Sequence, residues 1–143
     1  MVIKAFNHTI KNEYKVDTDY RASIAQSKFT LCPPGMGMDT YRLWETLLLG
    51  SIPIVESDPA GLDRMYMTLP VLVVKRYEDV TPALLELAYP CFVRHASEFE
   101  YDILTNKYWR TTIDAIIMLG KVEGVTATLD LKPPYINRYC NFM

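Results

Sequence analysis

The chain has 143 residues, 50% of them apolar and 22% charged, which suits one hydrophobic core and leaves no room for two full-sized domains. Fifteen basic against seventeen acidic side chains give a formal charge of -2, so no overall basic surface is available to neutralise a nucleic-acid backbone. No apolar run approaches the roughly 20 residues needed to cross a bilayer, and the start, MVIKAFNHTIKNEYK, has the pattern of neither a signal peptide nor a transit peptide. The cytosol is the default address on these grounds.

Cys32, Cys91 and Cys140 are odd in number and widely spaced, which fits neither a disulfide framework nor a zinc knuckle. They read as reduced thiols, with Cys32 acting as a small buried hydrophobe. His8 and His95 lack a second ligand at metal-binding spacing and read as structural or exposed. No metal site and no resident cofactor are expected.

In chain order, short β-rich runs alternate with helical ones, the signature of a parallel sheet with crossover helices. Val2 to Phe6 is the weakest candidate strand. Thr18 to Gln26 reads as a helix capped at Asp17, with Tyr20, Ile24 and Ala25 on one face. Lys28 to Cys32 is a buried strand. Pro33, Pro34, Gly35 and Gly37 break the pattern, and Asp39 is placed to cap a helix from Thr40 to about Leu49 that Gly50 ends. Leu43, Leu47 and Trp44 are its sheet-facing candidates.

Ile52 to Val55 is the next strand, shortened by Pro53 or beginning at it. Ala60 to Tyr66 has room for a helical turn or two. Val71 to Val74 is fully apolar, as a parallel strand covered on both faces should be. Thr81 followed by Pro82 starts a helix expected to reach about Tyr89, where Pro90 interrupts it. A last helix, about Asn106 to Leu119, carries Trp109, Ile113, Ile116 and Ile117. The expected organisation is a domain over residues 1–120 and a tail over 121–143 that is loop or loosely docked.

The segment FTLCPPGMGMDTYRLWETLLLGSIPIV, Phe29 to Val55, carries the most chemistry. A strand delivers the chain to a glycine loop that opens a helix, and the first amides of that helix have no partner within it. Those amides and the helix dipole favour an anion. Gly35 and Gly37 permit positive φ and a close approach of phosphate to backbone, at the sheet edge where open α/β folds place ligands. Asp39 and Thr40, at the helix start, are donor-binding candidates together with the two glycines. Arg42, in the first turn, can add a forked cation to a phosphate, and Glu45 can accept ribose hydroxyls. The same three-residue spacing also allows Arg42 and Glu45 simply to pair with each other on a solvated surface.

The run Ser27 to Val55 resembles the donor-binding domain of exostosin-like glycosyltransferases: a Ser-Lys-Phe strand ending in Cys-Pro, a glycine loop, Arg-x-x-Glu, then a Gly-x-x-Pro strand. Weaker similarity extends it from Tyr20 to Trp109. The resemblance implies a single Rossmann-like α/β domain with a parallel sheet flanked by helices, half of a GT-B fold. It implies transfer of a sugar from a nucleotide diphosphate sugar, UDP-linked by expectation, to a hydroxyl of a glycan or other acceptor, with inversion and without a metal. Arg42 takes the pyrophosphate contact and Glu45 the ribose contact. The acceptor half, which normally supplies the catalytic base, would come from a second chain or a missing domain, and no residue here is assigned as that base. If the chain is part of a longer protein, its address becomes the Golgi lumen. The alternative is a non-catalytic module that binds nucleotide sugar or serves assembly.

Asp17-Thr18-Asp19 is a DxD, the pattern by which GT-A transferases hold a metal. It follows the polar stretch Asn12 to Val16 and so reads as helix capping. Ser57, Asp58 and Asp63 follow the Ile52 to Val55 strand on the glycine-loop edge, where Ser57 and Asp58 are candidates to touch the donor sugar and turn chemistry explains them equally well. The aromatic stripe Phe99, Tyr101, Tyr108 and Trp109 reads as core or helix contact.

Overall fold

The computed structural model describes residues 17–37, 39–58, 61, 65–120, 139, 140 and 142. The expected strand at Val2 to Phe6 and most of the turn at Ala60 to Tyr66 lie outside these residues. Four helices, α1 (Asp17–Ala25), α2 (Tyr41–Leu48), α3 (Pro82–Arg94) and α4 (Asn106–Gly120), are interleaved with three strands, β1 (Phe29–Leu31), β2 (Ile52–Glu56) and β3 (Leu72–Val74). The strands form a parallel sheet in the order β1-β2-β3. This is the expected α/β class, a Rossmann-like half-domain. The described residues fall into two compact units, one within Met1–Phe99 and Tyr135–Met143, the other within Glu100–Pro134.

Register shows how a proline survives in the central strand. Phe29 pairs with Ile52, Thr30 with Pro53 and Leu31 with Ile54, while Ile54 pairs with Leu72. The Ile52 amide donates to Lys28 on the β1 side, so alternation turns position 53 toward β3. Pairing with β3 begins one residue later, and the Val71 amide bonds Leu69 instead. The donor that Pro53 lacks therefore falls where no ladder bond is needed. Consequently β2 starts before its proline.

Both faces of β2 are covered. Ile52 and Ile54 join Leu72, Val74, Val80, Ala88, Phe92 and Phe99 in one core cluster. Pro53 and Val55, projecting the other way, are also buried. Helix α2 packs on β2, burying Leu43, Thr46 and Leu47 and leaving Trp44 half-exposed. Burial of a side chain such as Leu43 stabilises by roughly 1.5–3 kcal/mol. The end of α2 is a Schellman turn: Gly50 at φ 78° sends its amide to Leu47, and Ser51 sends its own to Thr46.

Helix α3 begins as the Thr81-Pro82 pair dictates, with the Thr81 hydroxyl accepting from the Leu84 amide. It does not stop at Tyr89. The helix runs through Pro90 to Arg94, because the carbonyl that Pro90 cannot satisfy belongs to Glu86, and both residues are exposed to water. Buried Ala88 and Phe92 hold the helix on either side of it. In α4 the apolar residues Trp109, Ile113, Ile116 and Ile117 are exposed, at 40% to 62%. The aromatic stripe divides: Phe99 is core, whereas Tyr101 and Trp109 are exposed, the indole N–H donating to the Ile103 carbonyl.

The cysteines overturn the expectation of three reduced thiols. Cys91 on α3 is bonded to Cys140, and Cys32 alone is free and buried, as its reading as a small hydrophobe anticipated. Around the bridge, Tyr139 stacks on His95 and meets Phe99 edge-on, and Phe142 packs on Phe92. The described end of the chain is thus built into the first unit's core and is not loosely docked there. His95 is structural, its ring nitrogen 2.7 Å from Glu98. Among the described residues no helix is long and apolar enough to cross a membrane.

Cys140→Ser should lower the urea unfolding midpoint by an amount equivalent to about 2–4 kcal/mol. Dithiothreitol should move the wild-type midpoint by a similar amount and leave the variant's unchanged; a wild-type midpoint indifferent to reductant would contradict the bridge.

Candidate functional site

Parallel pairing of β1 with β2 forces α2 to run back across the sheet, so its N-terminus stands at the strands' carboxyl edge. The Cys32 amide bonds Ile54, carrying the pairing one residue past β1. The chain then leaves the sheet through an exposed loop, in which the Gly35 amide donates to the Gly37 carbonyl at 3.0 Å. Neither of these glycines has positive φ; among the described residues Gly50 and Gly61 do. The positive φ that Gly35 and Gly37 permit is therefore not adopted. What they leave is space: a Cβ on Gly37 would meet nothing within 4 Å, and one on Gly35 only the Thr40 methyl at an ordinary 3.7 Å.

The cap of α2 is Thr40, not Asp39. Thr40 is extended, at φ -121° and ψ 149°, its side chain makes no capping bond, and its carbonyl accepts from Leu43. Asp39 is engaged elsewhere, its Oδ1 accepting from the Trp44 indole at 2.7 Å and from the Tyr66 hydroxyl at 3.4 Å. These bonds, with the edge-on contact of Trp44 and Tyr66, clamp the loop's end to the helix it precedes.

In the first turn of α2 Arg42 is exposed, and one turn further on Glu45 is half-buried. They are not paired directly. The Tyr20 hydroxyl of α1 lies between them, accepting from Arg42 Nε at 3.1 Å and donating to Glu45 Oε2 at 3.2 Å. The guanidinium also lies 5.7 Å from the Tyr20 ring centroid, within cation–π range. Sequence periodicity assigned Tyr20 only to the apolar face of α1. Of that face only Ile24 is buried and Ala25 is exposed, and the sole hint of the second role of Tyr20 was its hydroxyl.

Beneath the loop, Cys32 is buried, its sulfur 3.6 Å from the Thr46 hydroxyl. Burial pushes its thiol up, against weaker opposing pulls from Thr46 and the charge of Arg42. The Tyr77 hydroxyl donates to the Cys32 carbonyl at 3.0 Å, and burial raises it to about 12. At the end of β2, the Ser57 amide extends the ladder to Val74, and the carbonyl of buried Asp58 accepts from Gly61. These two residues share the carboxyl edge with the glycine loop, and Asp63 lies outside the described residues. Asp17 and Asp19 stand in the first turn of α1. Among the described residues no three His, Cys, Asp or Glu side chains are gathered so as to hold a metal.

A three-stranded parallel sheet flanked by helices is the architecture of a Rossmann-like half-domain. Residues 2–84, more than half of the chain, match the family model described as the RXYLT1 C-terminal domain, and the chain belongs to that family. Its curated relatives carry the name ribitol-5-phosphate xylosyltransferase 1, which makes this a glycosyltransferase family. The zebrafish (Danio rerio) protein is 46% identical over 37 residues, covering 26% of this chain and 8% of that protein. The human (Homo sapiens) protein is 40% identical over 50 residues, covering 35% and 10%. The mouse (Mus musculus) protein is 30% identical over 95 residues, covering 56% and 19%. The chain thus matches no more than about a fifth of the length of these relatives. Tyr20, the glycine loop, Arg42, Glu45, Ser57 and Asp58 all lie within the family match.

Two outcomes follow from this geometry. Gly37→Ala should leave stability unchanged, whereas Gly50→Ala, forced into left-handed backbone, should lose about 1 kcal/mol or more in urea titration. For Tyr77, the protonated hydroxyl's contribution to stability is complete below its ordinary value of 10.0 and is lost as pH rises through about 12. Wild-type protein should therefore lose stability over that interval relative to Tyr77→Phe, as read by denaturant midpoints at each pH.

Proposed function

We propose that this chain is the donor-binding half of a GT-B glycosyltransferase that takes a UDP-linked sugar. The observation that carries the reading is the arrangement of Arg42 and Glu45, both turned to Tyr20 on one side of α2, in the helix that follows a loop whose glycines leave open space. The first-turn amides of α2 and the terminal nitrogens of Arg42 would receive the diphosphate, and Glu45 would accept a ribose hydroxyl. As the glycosidic bond breaks, charge grows on the departing diphosphate. A fixed guanidinium and a helix N-terminus stabilise that charge without reorganising.

The name shared by the relatives, ribitol-5-phosphate xylosyltransferase 1, supports a pentose as the sugar and a phosphorylated sugar alcohol as the acceptor. Ser57 and Asp58, on the same edge, are the proposed sugar contacts. The acceptor half and its base would come from the rest of a longer protein or from a second chain. The Cys91–Cys140 disulfide supports an oxidising compartment over the cytosol, in keeping with a Golgi lumen.

UDP should raise the melting temperature of the purified chain, and isothermal titration should show Arg42→Ala and Glu45→Ala each weakening UDP about tenfold or more, the scale of a charged hydrogen bond. Gly37→Ala, which the fold tolerates, should weaken UDP as well, because its methyl enters space reserved for phosphate. UDP affinity unchanged in all three variants would refute the site. Binding without sugar transfer by the chain alone is the outcome expected of a donor half, and it is also what a purely binding module would give. Transfer restored by adding the acceptor half separates the two.

A further inference from the structure

Arg42 and Glu45 are three residues apart on one helix, a spacing at which a guanidinium and a carboxylate ordinarily close on each other. In this fold the Tyr20 hydroxyl intervenes. A phenol has one proton and acceptor lone pairs, and here they are used in opposite senses: the proton goes to Glu45 Oε2 and a lone pair takes the Arg42 Nε–H. The tyrosine ring adds a cation–π contact with the guanidinium. Tyr20 itself is half-buried, and it comes from a separate helix 22 residues before Arg42.

The consequence lies in what stays uncommitted. A fork-to-fork ion pair would engage two guanidinium N–H groups and both carboxylate oxygens. Through Tyr20, Arg42 uses only its Nε–H and Glu45 only Oε2, which leaves the four terminal N–H groups and Oε1 outside the link. We infer that Tyr20 is a positioning residue that holds Arg42 and Glu45 apart, so that a cation and a carboxylate are available together to a ligand with an anionic group beside a hydroxyl. A nucleoside diphosphate is such a ligand. The inference rests on the donor-site reading above and adds the residue that prevents the site from neutralising itself.

The test is a double-mutant cycle with UDP as the titrant, using wild type, Tyr20→Phe, Glu45→Gln and the double variant. Phenylalanine keeps the ring and removes the hydroxyl, so Arg42 can collapse onto Glu45, and UDP should bind about tenfold more weakly, the equivalent of one charged hydrogen bond. In the Glu45→Gln background the same change should cost less than about threefold, since no carboxylate remains to capture the guanidinium; this coupling is what a merely structural role would not produce. Equal losses in the two backgrounds, or no loss in Tyr20→Phe, would overturn the inference. A readout independent of ligand is the Arg42 Nε–H resonance in nitrogen-edited NMR. It should exchange slowly with water in wild type and Glu45→Gln and rapidly in the double variant, where neither the hydroxyl nor the carboxylate remains to hold it. Rapid exchange in wild type would refute the positioning role even if UDP binds, whereas a protected Nε–H in a wild-type chain that binds no UDP would refute the donor-site reading, and with it the ligand-directed part of this inference.

Discussion

The structure depends on the parallel pairing of β1 with β2. Two parallel neighbours cannot be joined by a tight turn, so the connection must travel back over the sheet, and here it does so as α2. That requirement alone delivers the glycine loop, the first turn of α2 and the residues after β2 to one edge. Burial of β2 on both faces fixes the register, and a slip of one residue would turn Ile52 and Ile54 away from the core formed with α3. The same register places Pro53 just ahead of the β3 ladder, where its missing amide costs no bond.

On that edge the balance of charge is set by hydrogen bonds more than by proximity. Asp39, which would oppose an anion at the helix start, is held by the Trp44 indole and the Tyr66 hydroxyl. Arg42 and Glu45 are each tied to Tyr20 and not to one another. Buried Cys32 and half-buried Tyr77, their thiol and hydroxyl both pushed up by desolvation, contribute packing and a hydrogen bond to the loop's first carbonyl without adding charge. The result is an exposed cation at a helix N-terminus, with a carboxylate one turn away, supported by aromatic side chains from other parts of the first unit. Under the proposed function, that arrangement would meet the phosphate and hydroxyl groups of an activated sugar.

Much of this was legible from local pattern. The apolar runs around Phe29, Ile52 and Leu72 became strands, the Thr81-Pro82 cap started α3, and Gly50 ended α2, because each depends on a few neighbouring residues. Features that depend on distant partners were not legible. The Cys91–Cys140 bridge joins residues 49 apart in sequence, and spacing alone could not distinguish it from two free thiols. Helix α3 outlasts Pro90 because tertiary packing of Ala88 and Phe92, with solvent at Glu86, outweighs a local breaker. Gly35 and Gly37 have ordinary backbone, since composition marks where left-handed φ is allowed and not where it is adopted. Thr40 displaced Asp39 as the cap because the carboxylate had better partners in Trp44 and Tyr66. Tyr20 was placed on the correct helix beside buried Ile24, although Ala25, grouped with them, is exposed, and its hydroxyl chemistry required knowing that α1 lies beside α2.

The most direct test of the central claim is a crystal structure of the chain bound to UDP. The diphosphate should be seated on the first-turn amides of α2 and the terminal nitrogens of Arg42, with a ribose hydroxyl on Glu45 and Tyr20 still joining the two. A diphosphate bound away from the N-terminus of α2, or seated there with Arg42 and Glu45 untouched, would contradict that claim.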